Sequence, residues 1–209
     1  MVPPLYIAVS GKIGSGKDYI MENFLIPLLS RDIAVSKMAF ADHIKINVAS
    51  QDNIAIETVL QGSKKPEIRK KLQIQGTEEG RDKYGEDIWI NTLENWIRLR
   101  TCRGDKLDIV LITDCRFPNE AAWIERNGGL LIRTSAPDRN SIALDKEAGS
   151  DLAVRAAIET HRSETALDDY HFTYTIDNRI GSDAETQLKE LVMKYLKSNL
   201  NRAVLFNNL

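Results

Sequence analysis

A glycine-rich segment near the N-terminus carries the clearest chemistry in this chain of 209 residues. It directly follows the apolar run 5–9 and reads Gly11-Lys12-Ile13-Gly14-Ser15-Gly16-Lys17. The spacing fits the phosphate-binding pattern G-x-x-x-x-G-K, in which glycines let backbone N–H groups approach a phosphate and the lysine reaches the outer phosphates. A following helix would add its positive N-terminal end. The segment therefore predicts a site for a nucleoside triphosphate.

Two carboxylates are candidate magnesium ligands. Asp18 stands where the loop pattern has Ser or Thr, so it is either a metal ligand or a favourable acid in the first turn of a helix. Asp114 ends an apolar run, where a second carboxylate would meet the metal shell. A solvated strand end or a helix cap is the alternative for Asp114.

Arg116 follows Asp114 by two residues, and its forked guanidinium is well suited to bind phosphate. The alternative for Arg116 is an ion pair at the surface. Asn119 and Glu120 are either site residues or the start of the next helix. Cys115 is expected to be a small buried residue.

A second group of residues fits a site for a phosphoryl acceptor. Asp42 and Lys45 lie about one helical turn apart after a strand and can grip a sugar and a phosphate, with an ion pair as the alternative. Trp89 offers a ring to stack on a base. The segment 73–81 is expected to be a polar break between helices, and its candidate residues are Gln75, Gly76, Thr77 and Arg81.

The polar segment 135–165 has the composition of a lid. Its arginines, with one from the strand before it, can close over a triphosphate and exclude water; they are Arg133, Arg139, Arg155 and Arg162. His161 is expected to make a structural hydrogen bond, and Ser163 suits a helix cap.

Short apolar runs alternate with longer helical patterns along the chain. Strands are expected at 5–10, 33–40, 108–114, 130–133 and 172–176. Helices are expected over 17–29, with a kink or early end at Pro27, over most of 42–100, from 118 to the Gly128-Gly129 pair, at 152–160 and over 184–196. This alternation predicts an α/β fold with a five-stranded parallel sheet, whose ligands gather at the carboxyl ends of the strands.

Composition limits the class of protein. With 28 basic and 30 acidic residues the net charge is −2, which argues against a general nucleic-acid binder. Two cysteines are too few for a disulfide framework, and no run approaches the length of a membrane span or a secretion signal. We therefore expect a cytoplasmic protein without a membrane partner.

The order and spacing of these motifs resemble the bacteriophage-type deoxynucleoside monophosphate kinases of the P-loop kinase superfamily. The resemblance spans about residues 5–170 and rests on Gly11 to Asp18, Phe40-Ala41-Asp42 with Lys45, Gln75-Gly76-Thr77-Glu78 with Arg81, Gly85-Glu86-Asp87 with Trp89, the run 114–120, and His161 with Ser163-Glu164. It implies ATP and Mg²⁺, a three-layer fold, a helical acceptor region and a lid. An Asp after the loop lysine is normal in this group.

Residue roles follow as a hypothesis. The core is expected at 1–40, 104–134 and 170–209, the acceptor-binding region at 41–103 and the lid at 135–165. Catalysis is assigned to Lys17, Arg116 and Asp114, and the metal to Asp18 and Asp114. ATP binding is assigned to Gly11, Lys12, Ile13, Gly14, Ser15, Gly16, Lys17, Asp18 and Arg155. Acceptor binding is assigned to Asp42, Lys45, Gln75, Gly76, Thr77, Arg81, Trp89, Arg116 and Asn119.

The predicted reaction transfers a phosphoryl group from ATP to a deoxynucleoside monophosphate, in the host cytoplasm if the chain is phage-encoded. Three alternatives stay open. One is a P-loop kinase for phosphomevalonate, whose animal-type kinases resemble the same group, or for dephospho-coenzyme A. Another is a nucleotide-binding switch, although the chain has no Asn-Lys-x-Asp segment. The third, a nucleic-acid-binding ATPase, is disfavoured by the negative charge. The accepted bases, the selectivity for deoxyribose and the choice between monomer and homodimer stay open.

Overall fold

A computed structural model describes residues 3–29, 33–63, 65–149 and 151–199. The predicted core, acceptor-binding region and lid each include residues that lie outside the described ones, namely 1–2, 30–32, 64, 150 and 200–209.

Five parallel strands form one sheet in the order β2-β3-β1-β4-β5. The strands are β1 (Leu5–Ser10), β2 (Val35–Met38), β3 (Ile109–Ile112), β4 (Leu130–Ser135) and β5 (Tyr174–Asp177). Every residue of β1 and β3 is buried, as expected for central strands that helices cover on both faces. The prediction of a five-stranded parallel sheet is confirmed.

The helices are numbered in chain order. They are α1 (17–29), α2 (Asp42–Asp52), α3 (Ile56–Gly62), α4 (66–84), α5 (Ile88–Cys102), α6 (Pro118–Arg126), α7 (Pro137–Ala148), α8 (Leu152–Thr160), α9 (Arg162–Thr165) and α10 (Ala184–Ser198). None of the described helices is both long and apolar enough to cross a membrane.

Alternate residues of β1 point into two separate cores, which makes the fold three-layered. Ile7 packs with α1 and α10 on one face of the sheet. Tyr6 and Ala8 pack with α5 and α6 on the other face. Because side chains alternate across a strand, the two helical layers are separated by the sheet and meet the loops at its carboxyl edge. This is the α/β fold with three layers that the sequence analysis expected.

Two helices continue where the sequence predicted an interruption. In α1, Pro27 lies in the segment Ile26–Leu29, directly after a π-helical turn at Met21–Leu25. Proline lacks the N–H that an α-helix uses, and a π-helical turn shifts the hydrogen-bond register, so the helix passes through Pro27 instead of ending there.

The polar break expected at 73–81 is likewise a continuous helix. In α4 the α-helical segment Pro66–Gly76 runs into a π-helical turn at Thr77–Arg81 and ends with Asp82–Tyr84. Gly80 is buried in this turn because Trp89 packs against its bare backbone. A further difference is α7, since the sequence indicated a helix in the lid segment only near 152–160, where α8 lies.

The two glycines of α4 lead to opposite predictions for stability. A Cβ at Gly80 would overlap the Trp89 ring and lie 2.8 Å from the backbone oxygen of Gln75. Gly80→Ala should therefore destabilise the protein by about 1–3 kcal/mol in chemical denaturation. Gly76 is helical, and a Cβ there meets only the tip of Ile44 at 3.2 Å. Gly76→Ala is the matched control and should be neutral or slightly stabilising. Equal losses in both variants would contradict the close packing at Gly80.

Candidate functional site

The predicted phosphate-binding loop joins β1 to α1 at the carboxyl edge of the sheet. Gly14 and Gly16 have φ angles of 75° and 80°, in the left-handed region that favours glycine. Other elements hold the loop in place. The Thr134 hydroxyl of β4 donates to the Ser15 hydroxyl at 2.9 Å, and the Asn178 amide donates to the Ser15 carbonyl at 2.8 Å. The sequence analysis missed both supports, because they come from distant parts of the chain.

Lys17 lies folded back along the loop. Its Nζ donates to the carbonyls of Gly11 at 2.6 Å and Lys12 at 3.2 Å, and the residue is buried. Burial, followed by repulsion from Arg116, lowers the pKa of Lys17 to about 8, while the nearby Glu164 carboxylate acts in the opposite direction. Most Lys17 side chains are therefore protonated at neutral pH, but the pKa lies only about one unit above that pH.

Arg116 meets the same site from the loop after β3. Its guanidinium donates to the Glu164 carboxylate, which also pairs with Arg69 at 3.1 Å. The other oxygen of Glu164 accepts the backbone N–H of Ile13, in the phosphate-binding loop, at 3.2 Å. The two arginines therefore share one carboxylate at the edge of the loop, and Lys17 lies close enough to feel its charge while bonding to loop carbonyls.

The sequence analysis gave no role to Arg69 or Glu164. Glu164 appeared only within the motif His161 with Ser163-Glu164, and Arg69 only as one residue of a helical stretch. The available sequence signal for Glu164 was a carboxylate within the arginine-containing segment 135–165. The order of residues along the chain gives no indication that α4, which carries Arg69, and α9 meet at the loop.

Asp114 makes two backbone hydrogen bonds at the end of β3. Its oxygens accept the N–H groups of Phe40 at 2.9 Å and Ala41 at 2.8 Å. Burial raises the pKa of Asp114 above its usual value, although Lys45 and these two hydrogen bonds act in the opposite direction. The carboxylate thus fixes the turn that precedes α2, and each oxygen keeps a lone pair.

The donor set fits a magnesium ion bound through substrate and water. Asp18 is exposed in the first turn of α1 and Asp114 retains acceptor capacity. In the described part of the chain no group of three or more His, Cys, Asp or Glu side chains is placed to hold a metal. Mg²⁺ commonly uses one or two carboxylates plus substrate phosphates and water, so the residues present suit that ion.

Asp42 and Lys45 lie together at the start of α2. Lys45 Nζ donates to Asp42 at 3.1 Å, and the other oxygen of Asp42 accepts the N–H of Ala39 at 2.8 Å. The Asp42 side chain is half exposed and Lys45 is partly exposed. The ion pair that was the alternative reading is therefore present, and the pair remains accessible beside Asp114.

Arg81 does not reach an acceptor site. Its guanidinium pairs with Glu120 at 2.5 Å, donates to the Glu86 carbonyl at 2.6 Å and lies 3.9 Å from the centre of the Phe117 ring. Burial raises the pKa of Glu120 to about 7, although Arg81 and the backbone N–H groups of Arg116 and Phe117 lower it. Because all these partners are internal, the expectation that Arg81 binds acceptor is corrected: it joins α4 to the start of α6.

Trp89 also has a structural place. Only 3% of the residue is exposed, and its indole N–H donates to the Gly76 carbonyl at 2.8 Å. A ring packed in this way presents no free face to a base, so the stacking role predicted for Trp89 is not supported. Gln75 is buried as well.

Thr77 is half buried and begins the π-helical turn of α4. Asn119 donates to the Glu86 carbonyl and to the Asp87 carboxylate, each at 2.8 Å. Asn119 therefore fixes the turn before α5.

The arginines of the lid segment separate into different roles. Arg155 pairs with Asp145 and Glu159 on α7 and α8, which gives it no described contact with the loop. Arg139 of α7 instead donates to the carbonyl of Asn178, beside Gly16. Arg139, and not the predicted Arg155, is therefore the arginine of this segment that lies beside the phosphate-binding loop.

Arg133 lies in β4, and Arg162 lies in α9 within the predicted lid segment. Arg133 donates to the Ser10 hydroxyl at 3.0 Å, and Arg162 pairs with Glu86 at 2.7 Å. Burial lowers the pKa of His161, whose Nδ1 accepts the backbone N–H of Ser163 at 3.1 Å. The structural hydrogen bond expected for His161 is present, but the residue that caps α9 is His161 and not Ser163 as the sequence suggested.

Two comparisons with known proteins identify the family of this chain. The family model described as phosphomevalonate kinase matches residues 9–129, more than half of the chain. A curated relative, the deoxynucleoside-5'-monophosphate kinase of Escherichia phage T5, is 33% identical over 104 residues. That match covers 48% of this chain and 40% of the phage protein. Both findings support the predicted resemblance, and the matched family range contains the loop, the acceptor region and Arg116. The chain belongs to the phosphomevalonate kinase family of P-loop phosphotransferases.

Proposed function

We propose that this kinase transfers the γ-phosphoryl group of ATP to the 5'-phosphate of a deoxynucleoside monophosphate. The observation that carries the proposal is the cluster of cations at the phosphate-binding loop, where Arg69 and Arg116 share the Glu164 carboxylate and Lys17 lies buried along the loop. The similarity to the phage T5 enzyme supports the choice of acceptor. Deoxynucleotide biosynthesis is the role that this activity would serve.

In the proposed reaction an oxygen of the acceptor phosphate attacks the γ-phosphorus of ATP. The bond from that phosphorus to the oxygen bridging the β- and γ-phosphates breaks, and the products are ADP and a deoxynucleoside diphosphate. The attacking oxygen is already ionised at neutral pH, so no general base is needed. Catalysis then depends on alignment of the two phosphates and on stabilisation of charge.

The chain's own residues supply that charge stabilisation. The backbone of the loop from Gly11 to Lys17 cradles the donor phosphates, and Lys17 binds their outer oxygens. Arg116 neutralises charge on the transferred group through its planar guanidinium. Asp18 and Asp114 are the proposed holders of Mg²⁺, which when bound would neutralise phosphate charge.

The acceptor is proposed to bind beside α2. Asp42 and Lys45 are accessible there and lie next to Asp114, so Lys45 can contact the acceptor phosphate and Asp42 a sugar hydroxyl. Arg116 faces the same space from the end of β3. Arg81 and Trp89 support this region from inside the fold and are not proposed to touch the acceptor.

Phosphomevalonate is the second candidate acceptor, because the matching family model carries that description. Its phosphate presents the same chemistry to Lys45 and Arg116. The two candidates differ in the group attached to the phosphate. In the proposed site that attached group lies outside the cluster of cations.

A panel of acceptors tests the proposed substrate. ADP release coupled to an optical readout should be detected with at least one of the four common deoxynucleoside monophosphates, and more slowly with the ribonucleotides. The same panel contains phosphomevalonate and dephospho-coenzyme A. Turnover with phosphomevalonate alone would favour the second candidate, and no turnover with any nucleotide would end the first.

The two loop cations are tested by substitution. Lys17→Ala and Arg116→Met should each lower kcat by about 100-fold or more, because each removes a charge aimed at the transferred group. Arg98→Met is the matched control, since Arg98 is exposed on α5, and it should retain the wild-type rate. Circular dichroism and thermal melting establish that each variant is folded. A folded Lys17→Ala protein with full activity would contradict the assignment of the loop.

The low pKa of Lys17 predicts an alkaline limit. In the free enzyme Lys17 loses its proton as the pH rises through about 8, so kcat/KM for ATP should fall above that pH, by about tenfold per unit. The kcat should persist to higher pH, because bound phosphates raise the pKa of the lysine. The measurement is a pH series at saturating acceptor. The residual kcat/KM of Lys17→Arg should not fall in this alkaline range, because guanidinium does not titrate there. A flat wild-type kcat/KM profile up to about pH 9.5 would contradict the prediction.

A further inference from the structure

Glu164 holds a position that is unusual for a carboxylate. Its side chain is only 4% exposed, and both of its oxygens are used. One oxygen accepts from Arg69 and Arg116, and the other accepts the N–H of Ile13. A phosphate would take the same set of donors: a backbone N–H of the phosphate-binding loop and two guanidinium groups.

The donors cannot serve a phosphate and Glu164 in full at the same time. The Ile13 N–H has a single hydrogen, and it is bonded to Glu164 at 3.2 Å. Two anions within the same small group of cations would also repel each other at short range. A phosphate that reaches this position must therefore compete with the carboxylate.

The cations need an anion whether or not a substrate is bound. Lys17 and Arg116 repel each other, and Glu164 is the nearby group that favours the charged form of both. Arg133 adds a further positive charge at this edge. Buried cations without a partner are costly, so removal of the carboxylate without a replacement would destabilise the loop and spread the arginines apart.

The segment that carries Glu164 is small enough to move as a unit. Glu164 lies in α9, a single turn at Arg162–Thr165 that begins directly after His161. The side chain of His161 caps this turn by accepting the N–H of Ser163. The link from α9 to the rest of the site, apart from Glu164, includes an exposed pair between Arg162 and Glu86. Exposed pairs contribute little, so the polar contacts that hold this turn are the bonds of Glu164 and the Ser163 carbonyl, which accepts from Arg116 at 3.3 Å.

We propose that Glu164 is a built-in substitute for a substrate phosphate: it keeps Arg69 and Arg116 in place at the loop and is displaced when the phosphate of a substrate binds between them. The inference rests on the proposed phosphotransfer at this site. It makes Glu164 a positioning residue, and it makes displacement of α9 a step in substrate binding.

The test measures phosphate binding without turnover. Inorganic tripolyphosphate is titrated by calorimetry into the wild-type protein and into Glu164→Gln, which keeps the shape of the side chain and removes its charge. Loss of the competing charge should tighten binding about tenfold or more. Arg69→Gln should weaken it by a similar factor. Glu159→Gln is the matched control, because Glu159 pairs with Arg155 on neighbouring α8, and it should bind as the wild type does.

Equal or weaker binding by a folded Glu164→Gln protein would overturn the proposal and make Glu164 a permanent support of the arginines. Hydrogen exchange of the wild-type protein gives a second answer that needs no variant. Tripolyphosphate should speed exchange of backbone amides in 162–168 while it slows exchange in 11–18. Slower exchange in both segments would also overturn the proposal.

The outcome is separable from that of the acceptor panel. Tripolyphosphate engages the donor loop whatever the acceptor is, so failure of every nucleotide in the activity assay leaves this test valid. Conversely, unchanged tripolyphosphate binding in Glu164→Gln would leave the proposed reaction in place and remove only the displacement step.

Discussion

Positive charge concentrated at the carboxyl edge of the sheet is the constraint on which the rest of the site depends. Arg69 and Arg116 meet at the Glu164 carboxylate, and Lys17 lies buried along the loop, close enough to Arg116 for the two charges to repel. Burial first, and this repulsion second, lower the pKa of Lys17. Glu164 balances these charges, and its position decides how the loop, α4 and α9 fit together.

Several other polar residues near the site have partners inside the fold. Arg81 and Glu120 form a buried pair that fixes α4 against the start of α6, and Asp114 holds the turn into α2 by two backbone bonds. These contacts bind no substrate in the proposed reaction. They set the positions of Arg116 and Lys45, and alignment within fractions of an ångström is what phosphoryl transfer requires.

Local patterns predicted much of the fold and the donor half of the site. The apolar runs that became β1 and β3 are continuous because both faces are covered, and the loop from Gly11 to Lys17 needs only glycines and a lysine at fixed spacing. The failures have physical causes as well. The glycines of α4 did not break the helix, because Trp89 packs against Gly80. The helix 17–29 has the expected range, and of the kink or early end considered at Pro27 the early end is absent.

By itself the sequence determined the order of strands and helices and the place of the phosphate-binding loop, since periodicity and loop geometry are local properties. Only the tertiary structure decided which charged side chains face the loop. Arg69, Arg116 and Glu164 are separated by tens of residues, and their meeting depends on the parallel crossovers that bring α4, the end of β3 and α9 to one edge. The same packing turned Arg81 and Trp89 inward, because a buried partner for each lies on an element that local pattern does not identify.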